Sequence, residues 1–410
     1  MPLRNPHLFV RTLIVISLLV GMLSCEKEAT EEPEVELCNT EGSAGELLSA
    51  TYTMTLTPEQ LESILAQGGG AIPFGLVLEY SVDVYIVSYM TLNNESELTE
   101  VSGVMFIPQG IDTLDLLSAQ HGTVFKRDQV GSVNPVYAID GMITAMNGYM
   151  VVSPDYLGLG DSQGLHPYLQ AELSANPVMD MIRAARIYAC QNELILSDKL
   201  FLAGYSEGGY VTLASQKIME SDYSDEFQLT AVAPMAGPHD LLGMTQNLLA
   251  RHSYNNPAYL VYLVAAYNEI YEWDRLADIF QEPYAAVIPG LLEGNLNGAE
   301  INAELTTDLD SLFNSEFKNS FLAGEESQLE AALVSNSPLD WGPIAPVRLI
   351  HGTADSTVFY ENSVEAYESM RANGGVSVDL IPLFGLNHET AAFLAYYFAI
   401  QWFDSLRAAN

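Results

Sequence analysis

Apolar positions along the chain follow two alternating spacings, one typical of strands and one typical of helices. The run SVDVYIVSYMT at 81–91 alternates and is rich in β-branched residues, and KLFLA at 199–203 is a short apolar run followed by helical spacing at 207–219. Further strands are predicted at 99–107, 115–120, 148–153, 229–235, 347–350 and 376–382, and further helices at 175–189, 361–371 and 390–406. This alternation predicts an α/β fold with a mostly parallel central sheet flanked by helices.

One long segment interrupts the alternation. Residues 240–343, which we call the cap, have helical and aromatic character and no convincing strand, and they are too many for a loop. They predict a helical insertion that divides an α/β core of residues 46–239 and 344–410. Because the insertion leaves and rejoins the sheet near strand ends, we expect it to cover the functional site as a lid. The alternative is a set of additional core helices with no role at that site.

The N-terminus has the pattern of a targeting segment. Arg4 and Arg11 precede an apolar run from Thr12 to Leu23, which is too short to span a bilayer. Residues 1–24 are therefore predicted to be a signal peptide. The Leu-Ser-Cys sequence ending at Cys25 resembles a bacterial lipobox, which implies lipidation of Cys25 and an anchored, exported protein; an ordinary secretory signal is the alternative. The acidic residues that follow predict a tether over 25–45 and resemble signals for surface export from the outer membrane.

Net charge limits the classes of partner that the chain can bind, and the cysteines raise the question of a disulfide. The chain has 53 acidic and 15 basic residues and a formal net charge of −38. Such a surface repels phosphate backbones and anionic lipid heads, so no nucleic-acid partner is expected and membrane contact is expected only through the anchor. Cys38 and Cys190 remain after processing, and the sequence leaves open whether they form a disulfide or stay separate thiols.

The sequence GYSEGG at 204–209 lies between a predicted strand and a predicted helix. G-x-S-x-G in this context predicts a sharp turn that exposes Ser206 as a nucleophile. The same turn directs the backbone N–H of Glu207 toward a developing oxyanion. A second oxyanion donor is expected after the strand at 115–120, from the N–H of Gly122 or Thr123.

A serine nucleophile needs a histidine base and an orienting acid, in the chain order Ser, acid, His. His388 follows the last predicted strand and is the expected base. The other histidines have less suitable positions: His7 in the signal peptide, His121 and His351 at turns, His166 in a loop, and His239 and His252 at the entrance to the cap. Asp355 follows the strand at 347–350 and is the expected acid, with Asp240 as the alternative.

Two further features of the sequence bear on its chemistry. Asp155 lies in the glycine-rich turn DYLGLGDS, where it is expected to accept local backbone N–H groups and to support the turn. No histidine–carboxylate cluster has metal-ligand spacing and no phosphate-binding loop is present in the sequence, so neither a metal nor a cofactor is expected.

Together these segments resemble the secretory lipase family of α/β-hydrolases, of the lipase A type with a large helical cap. The matching segments are SPDYLGLGDS (153–162), HPYL (166–169), MDMIRAARIY (179–188), GYSEGG (204–209), PLDWGPIAPVRLIHGTADSTV (338–358) and NHE (387–389). The resemblance implies ester hydrolysis with Ser206, Asp355 and His388 at the triad positions. Many members have glutamine where this chain has Glu207, and a carboxylate there is expected to oppose a nearby oxyanion.

The expected function is a serine esterase or lipase that hydrolyses small-molecule esters or lipids through an acyl-enzyme. Three alternatives share much of the same evidence: a serine peptidase, an esterase that deacylates glycans, and a binding protein on an inactive hydrolase fold. The sequence does not distinguish acyl chain lengths.

Overall fold

The computed structural model describes Cys38, residues 41–67 and residues 78–408, and these residues form a nine-stranded sheet. The strands are β1 Leu47–Leu56, β2 Val82–Leu92, β3 Leu98–Pro108, β4 Thr113–Gln120, β5 Tyr149–Pro154, β6 Ile195–Tyr205, β7 Ala231–Met235, β8 Val347–Gly352 and β9 Val378–Leu383. The predicted α/β fold class is confirmed. Each predicted strand is present with its ends shifted by a few residues.

The spatial order of the strands is β1-β2-β3-β5-β4-β6-β7-β8-β9. The pairs from β4 and β5 through to β8 and β9 are parallel, whereas β1, β2 and β3 join the sheet as an antiparallel edge. Because β4, β6, β7 and β8 are parallel, the loops that follow them lie along one edge of the sheet. The residues predicted for chemistry lie in these loops and in the loop after β9.

Helices cover both faces of the sheet. Outside the cap they are α1 Pro58–Gln67, α2 Ile139–Ala145, α3 Ala171–Gln191, α4 Glu207–Asp222, α13 Tyr360–Ala372 and α14 His388–Arg407. On one face, α3 and α4 bury Ile182 and Val211 in a core that continues into the cap. On the other, α1, α2 and α14 bury Leu61, Met142 and Phe403 against the sheet. The sheet is thus the middle layer of three.

The strand β1 and the helix α1 were not predicted. Most residues of β1 are exposed or half-buried, because β1 is an edge strand that pairs only with β2, and its sequence therefore lacks a clear apolar face. A disulfide joins Cys38 to Cys190 at the end of α3, which answers the question that the sequence left open. The N–H of Gly45 donates to the carbonyl of Met90. Both contacts involve residues that the sequence assigned to the tether.

Between β7 and β8 the cap is built from helices. They are α5 Leu241–Leu249, α6 Pro257–Ile270, α7 Leu276–Ile279, α8 Tyr284–Leu291, α9 Gly298–Glu304, α10 Leu309–Leu312, α11 Ser315–Leu322 and α12 Ser327–Asn336. Among the described residues, no helix combines the length and the apolar character needed to cross a bilayer. The predicted signal peptide and Cys25 lie outside the described residues.

Candidate active site

Ser206 lies on the turn between β6 and α4, in a backbone conformation that non-glycine residues rarely adopt. Its φ is 61° and its ψ is −126°. The turn is held because the N–H of Ser206 donates to the carbonyl of Met235 at 2.9 Å, and because glycines let neighbouring backbones approach. A Cβ atom on Gly208 would overlap the carbonyl of Gln120. The strained turn leaves the hydroxyl of Ser206 at the edge where the loops meet.

The structure brings Ser206, His388 and Asp355 into one chain of hydrogen bonds. His388 Nε2 lies 2.9 Å from Ser206 Oγ, and His388 Nδ1 lies 2.5 Å from Asp355 Oδ2. These residues come from three separate loops, after β6, β8 and β9. The arrangement is that of a nucleophile, a base and the carboxylate that orients the base.

The loops of the acid and the base are held against each other by backbone contacts. The N–H of Ala354 donates to the carbonyl of Leu386 at 3.0 Å. A side chain at Gly352 would overlap that same carbonyl, so the close approach requires glycine. The distance between Asp355 and His388 is therefore set by the backbone as well as by their own hydrogen bond.

A second histidine, His351, also contacts Asp355. His351 Nε2 lies 3.1 Å from Asp355 Oδ2 and 2.9 Å from the carbonyl of Val358, while Nδ1 lies 2.7 Å from Ser363 Oγ. Because Nε2 faces two acceptors, it carries the proton, and the hydroxyl of Ser363 donates to Nδ1. Burial raises the pKa of Asp355, but hydrogen bonds from His351 and His388 outweigh it and lower the pKa from 3.8 to about 2.

The loop after β4 passes beside the nucleophile. An ideal Cβ on Gly122 would lie 3.7 Å from the Cβ of Ser206. Within the described part of the chain, the N–H groups of Gly122, Thr123 and Glu207 have no hydrogen-bond acceptor. His121 Nδ1 lies 2.7 Å from the carbonyl of Gly122, which orients the peptide whose N–H belongs to Thr123. Unsatisfied N–H groups next to a nucleophile are suited to bind an oxyanion.

A cavity of about 30 Å³ lies at Ser206, between the sheet domain and the cap. The cap residues that line it are Met244, Leu248, Tyr254, Tyr259, Leu260 and Leu263. Cap side chains therefore form part of the wall of the cavity at Ser206. The phenol of Tyr254 also donates to the carbonyl of Thr357 at 3.2 Å, in the loop that carries Asp355.

The remaining acids predicted near the site have structural contacts. Asp240 caps α5 by accepting from the N–H of Gly243 at 2.9 Å. Asp155 is fully buried and accepts hydrogen bonds from the hydroxyl of Ser102 and the N–H of Ser132, as expected for a residue that supports a turn. Glu207 has a partner that the sequence did not predict, because its carboxyl group lies 2.6 Å from His166 Nε2.

Sequence reasoning missed His351 and His166 as contacts of site residues. His351 was assigned to a turn because it precedes a glycine, although its position four residues before Asp355 was a usable signal. His166 is 41 residues from Glu207, and no local pattern links the two.

A parallel sheet flanked by helices, with a serine on a strained strand-to-helix turn and a histidine–carboxylate pair in later loops, defines the α/β-hydrolase fold. The protein is an enzyme of the serine hydrolase superfamily.

Comparisons with known proteins agree with this class. Residues 139–295 match the model of the prolyl oligopeptidase family. No curated protein matches the sequence significantly. A solved structure from Legionella pneumophila, named as a hydrolase, is 29% identical with a TM-score of 0.82, over 89% of this chain and 99% of that one.

Two further solved structures are similar to this chain. The rice cell wall degrading esterase LipA from Xanthomonas oryzae is 27% identical with a TM-score of 0.77, over 90% of this chain and 98% of that one. Candida antarctica lipase A in its closed state is 17% identical with a TM-score of 0.67, over 92% and 86% of the two chains, and shows the fold alone.

Proposed function

We propose that the protein hydrolyses carboxylic esters through an acyl-enzyme formed on Ser206. The observation that carries this proposal is the continuous chain of hydrogen bonds from Ser206 Oγ through His388 to Asp355, next to backbone N–H groups that have no acceptor among the described residues. The hydrolase and esterase names of two similar structures support the reaction class.

In this mechanism Ser206 Oγ attacks the ester carbonyl carbon while its proton passes to His388 Nε2. The oxyanion accepts hydrogen bonds from the N–H groups of Glu207 and Thr123. Thr123 is chosen over Gly122 because His121 orients its peptide. His388 then protonates the departing alcohol. Water, activated by the same imidazole, attacks the acyl carbon and releases the carboxylic acid and free Ser206.

The test is hydrolysis of p-nitrophenyl butyrate by the wild type and by Ser206→Ala. The wild type is expected to turn over and to react with a fluorophosphonate probe, whereas the variant is expected to do neither while keeping its circular dichroism spectrum. Wild-type-like turnover by Ser206→Ala would overturn the role of Ser206. A wild type that binds no probe would favour the inactive-fold alternative.

A peptidase is the second candidate, because the prolyl oligopeptidase model matches the segment that contains Ser206. That segment ends before Asp355 and His388, whereas the similarity to the esterase structure covers 90% of the chain. Measuring Ala-Pro-p-nitroanilide beside the ester distinguishes the two. Acetylated xylan belongs in the same panel, because the Xanthomonas protein is named for degrading rice cell walls.

We further propose that the protein is exported and lipid-anchored through Cys25. The disulfide between Cys38 and Cys190 supports export, because such bonds persist mainly in oxidising compartments. Metabolic labelling with a fatty acid should mark the wild type and not Cys25→Ala. Label on the variant would contradict the anchor, and secretion of an unlabelled wild type would favour the ordinary secretory signal.

A further inference from the structure

The residue after the nucleophile has a buried side-chain partner that the proposed mechanism does not use. Glu207 is 1% exposed and His166 is 2% exposed. Glu207 Oε1 lies 2.6 Å from His166 Nε2, and His166 Nδ1 lies 2.8 Å from the carbonyl of Leu157. The other carboxyl oxygen, Oε2, has no hydrogen-bond partner among the described residues. Among the described residues, the hydrogen bond to His166 is therefore what holds this side chain in place, and we call it the anchorage of Glu207.

These distances determine how many protons the pair holds. A carbonyl oxygen only accepts, so Nδ1 of His166 carries a hydrogen. A neutral imidazole protonated at Nδ1 has a lone pair at Nε2, and an ionised carboxylate offers only lone pairs. A contact of 2.6 Å therefore requires one proton between Nε2 and Oε1. Whichever atom carries that proton, the pair has a net charge of zero.

We propose that His166 and Glu207 are positioning residues that form a neutral, proton-sharing pair behind the oxyanion site. The inference rests on the proposed function, because it concerns the N–H of residue 207 as an oxyanion donor. The pair has two effects: it holds the side chain, and with it the peptide N–H, of residue 207, and it cancels the negative charge that a lone carboxylate would place beside the oxyanion.

The surroundings of His166 explain why the pair is held in one place. The ring centroid of Tyr156 lies 5.8 Å from that of His166, and those of Tyr168 and Tyr262 lie at 6.1 Å and 5.9 Å. These rings surround the imidazole and restrict its movement away from Glu207. Tyr262 belongs to α6 of the cap, so the cap contributes to the enclosure of the pair.

Glutamine and alanine at position 207 are expected to behave differently. In Glu207→Gln the amide N–H donates to the lone pair of His166 Nε2, so the anchorage persists without a shared proton. We expect kcat to stay within about threefold of the wild type. In Glu207→Ala the anchorage is lost, and kcat is expected to fall by roughly 100-fold at similar KM, the usual effect of losing one oxyanion donor.

The decisive comparison is a double mutant. His166→Leu removes the anchorage, as Glu207→Ala does, and also leaves the Glu207 carboxylate buried without its shared proton, so kcat for p-nitrophenyl butyrate is expected to fall by roughly 1000-fold. Adding Glu207→Gln removes the charge, and the double mutant is expected to recover activity by at least about tenfold over His166→Leu. A double mutant no faster than His166→Leu would overturn the proposal, as would a Glu207→Gln variant as slow as Glu207→Ala.

His252→Leu is the matched control, because His252 also pairs with a carboxylate, Asp310, but its side chain is 93% exposed in the cap. Its activity is expected to equal that of the wild type. Should His166→Leu fail to fold, proton NMR replaces it: a strongly deshielded imidazole proton should survive Asp355→Asn and disappear in Glu207→Gln. Its absence from the wild type would overturn the pair. A wild type without esterase activity would instead refute the proposed function.

Discussion

At the residue scale, Asp355 is the most heavily hydrogen-bonded member of the proposed triad. Its Oδ1 accepts from the N–H groups of Thr357 and Val358, both at 2.9 Å. Its Oδ2 accepts from His351 and His388. A carboxylate held by donors at both oxygens stays ionised and keeps one orientation, which is what the imidazole of His388 needs.

The first prediction tests the identity of the acid. Asp355→Asn should keep the fold but lower kcat by a factor on the order of 10⁴, because the amide favours the wrong tautomer of His388; this magnitude is that of the analogous chymotrypsin-type substitution. Asp240→Asn is the control, since asparagine still caps α5 and should retain activity. The measurement is kcat for p-nitrophenyl butyrate. Reversed effects of the two variants would reassign the acid to Asp240.

The second prediction concerns His351. His351→Leu removes a donor to Asp355 Oδ2 and should raise the pKa of Asp355 and lower kcat by roughly tenfold, the worth of one hydrogen bond to a charged group. KM should change little, because His351 does not line the cavity at Ser206. Ser363→Ala, which removes only the donor to His351 Nδ1, should have a smaller effect. Unchanged kcat in His351→Leu would show that the other donors to Asp355 suffice.

At the element scale, α6 connects the cap to the loop after β5 and to the cavity at Ser206. Tyr267 donates to the carbonyl of Leu169 at 2.9 Å, and Tyr262 stacks on Tyr168 with ring centroids 4.7 Å apart. Leu260 and Leu263 of the same helix line the cavity at Ser206. One side of the helix thus lines the cavity at Ser206, and its other contacts fix it to the loop after β5.

The third prediction follows from the size of this cavity. A volume of about 30 Å³ has room for two or three water molecules at roughly 10–15 Å³ each. With the cap in this position, acetyl and butyryl esters should be preferred over octanoyl and palmitoyl esters. Leu263→Ala should enlarge the cavity and shift the preference toward longer acyl chains.

The control for that experiment is Val264→Ala on the same helix, which is equally buried but does not line the cavity. Both variants lose core contacts, and Leu→Ala changes in cores cost about 2–5 kcal/mol of stability, so both should be checked by thermal unfolding. A wild type that prefers palmitoyl esters would mean that the cap opens during turnover.

At the scale of the whole molecule, one buried group makes stability depend on pH. His239 is fully buried, and neither ring nitrogen has a hydrogen-bond partner among the described residues. Burial, together with the neighbouring His351, lowers the pKa of His239 from 6.5 to about 3. Between these values the unfolded chain binds a proton that the folded chain does not. The contribution of His239 to the free energy of unfolding is therefore fully present above pH 6.5, and it decreases as the pH falls below that value.

The fourth prediction uses this window. Each pH unit below 6.5 should cost the folded state about 1.4 kcal/mol through His239, so the free energy of unfolding should drop by about 2 kcal/mol at pH 5. His239→Gln, which does not titrate, should lose correspondingly less over the same range. Urea unfolding at pH 6.5 and at pH 5 measures the loss in the wild type and in the variant. Asp355 does not affect the free energy of unfolding between pH 6.5 and pH 5, because its pKa is 3.8 in the unfolded chain and about 2 in the folded chain. Equal losses in the two proteins would contradict the assignment.

The sequence by itself determined the alternation of strands and helices, the nucleophile turn and the position of the cap insertion. These features have local signals, since apolar periodicity and the glycines around Ser206 act over a few neighbouring residues. His388 and Asp355 could be predicted as base and acid because each follows a recognisable strand in a fixed chain order. Their positions could be predicted without knowing how the strands are arranged in space.

Only the tertiary structure decided what these residues touch. The antiparallel edge with β1, the disulfide between Cys38 and Cys190, and the second histidine on Asp355 depend on packing between separate elements. The pairing of Glu207 with His166 is the clearest case: the sequence predicted a carboxylate opposing the oxyanion, and the structure places His166 Nε2 2.6 Å from that carboxyl group. Such contacts join residues that are far apart in the chain, so their distances and burial are set by how the sheet, loops and cap pack together.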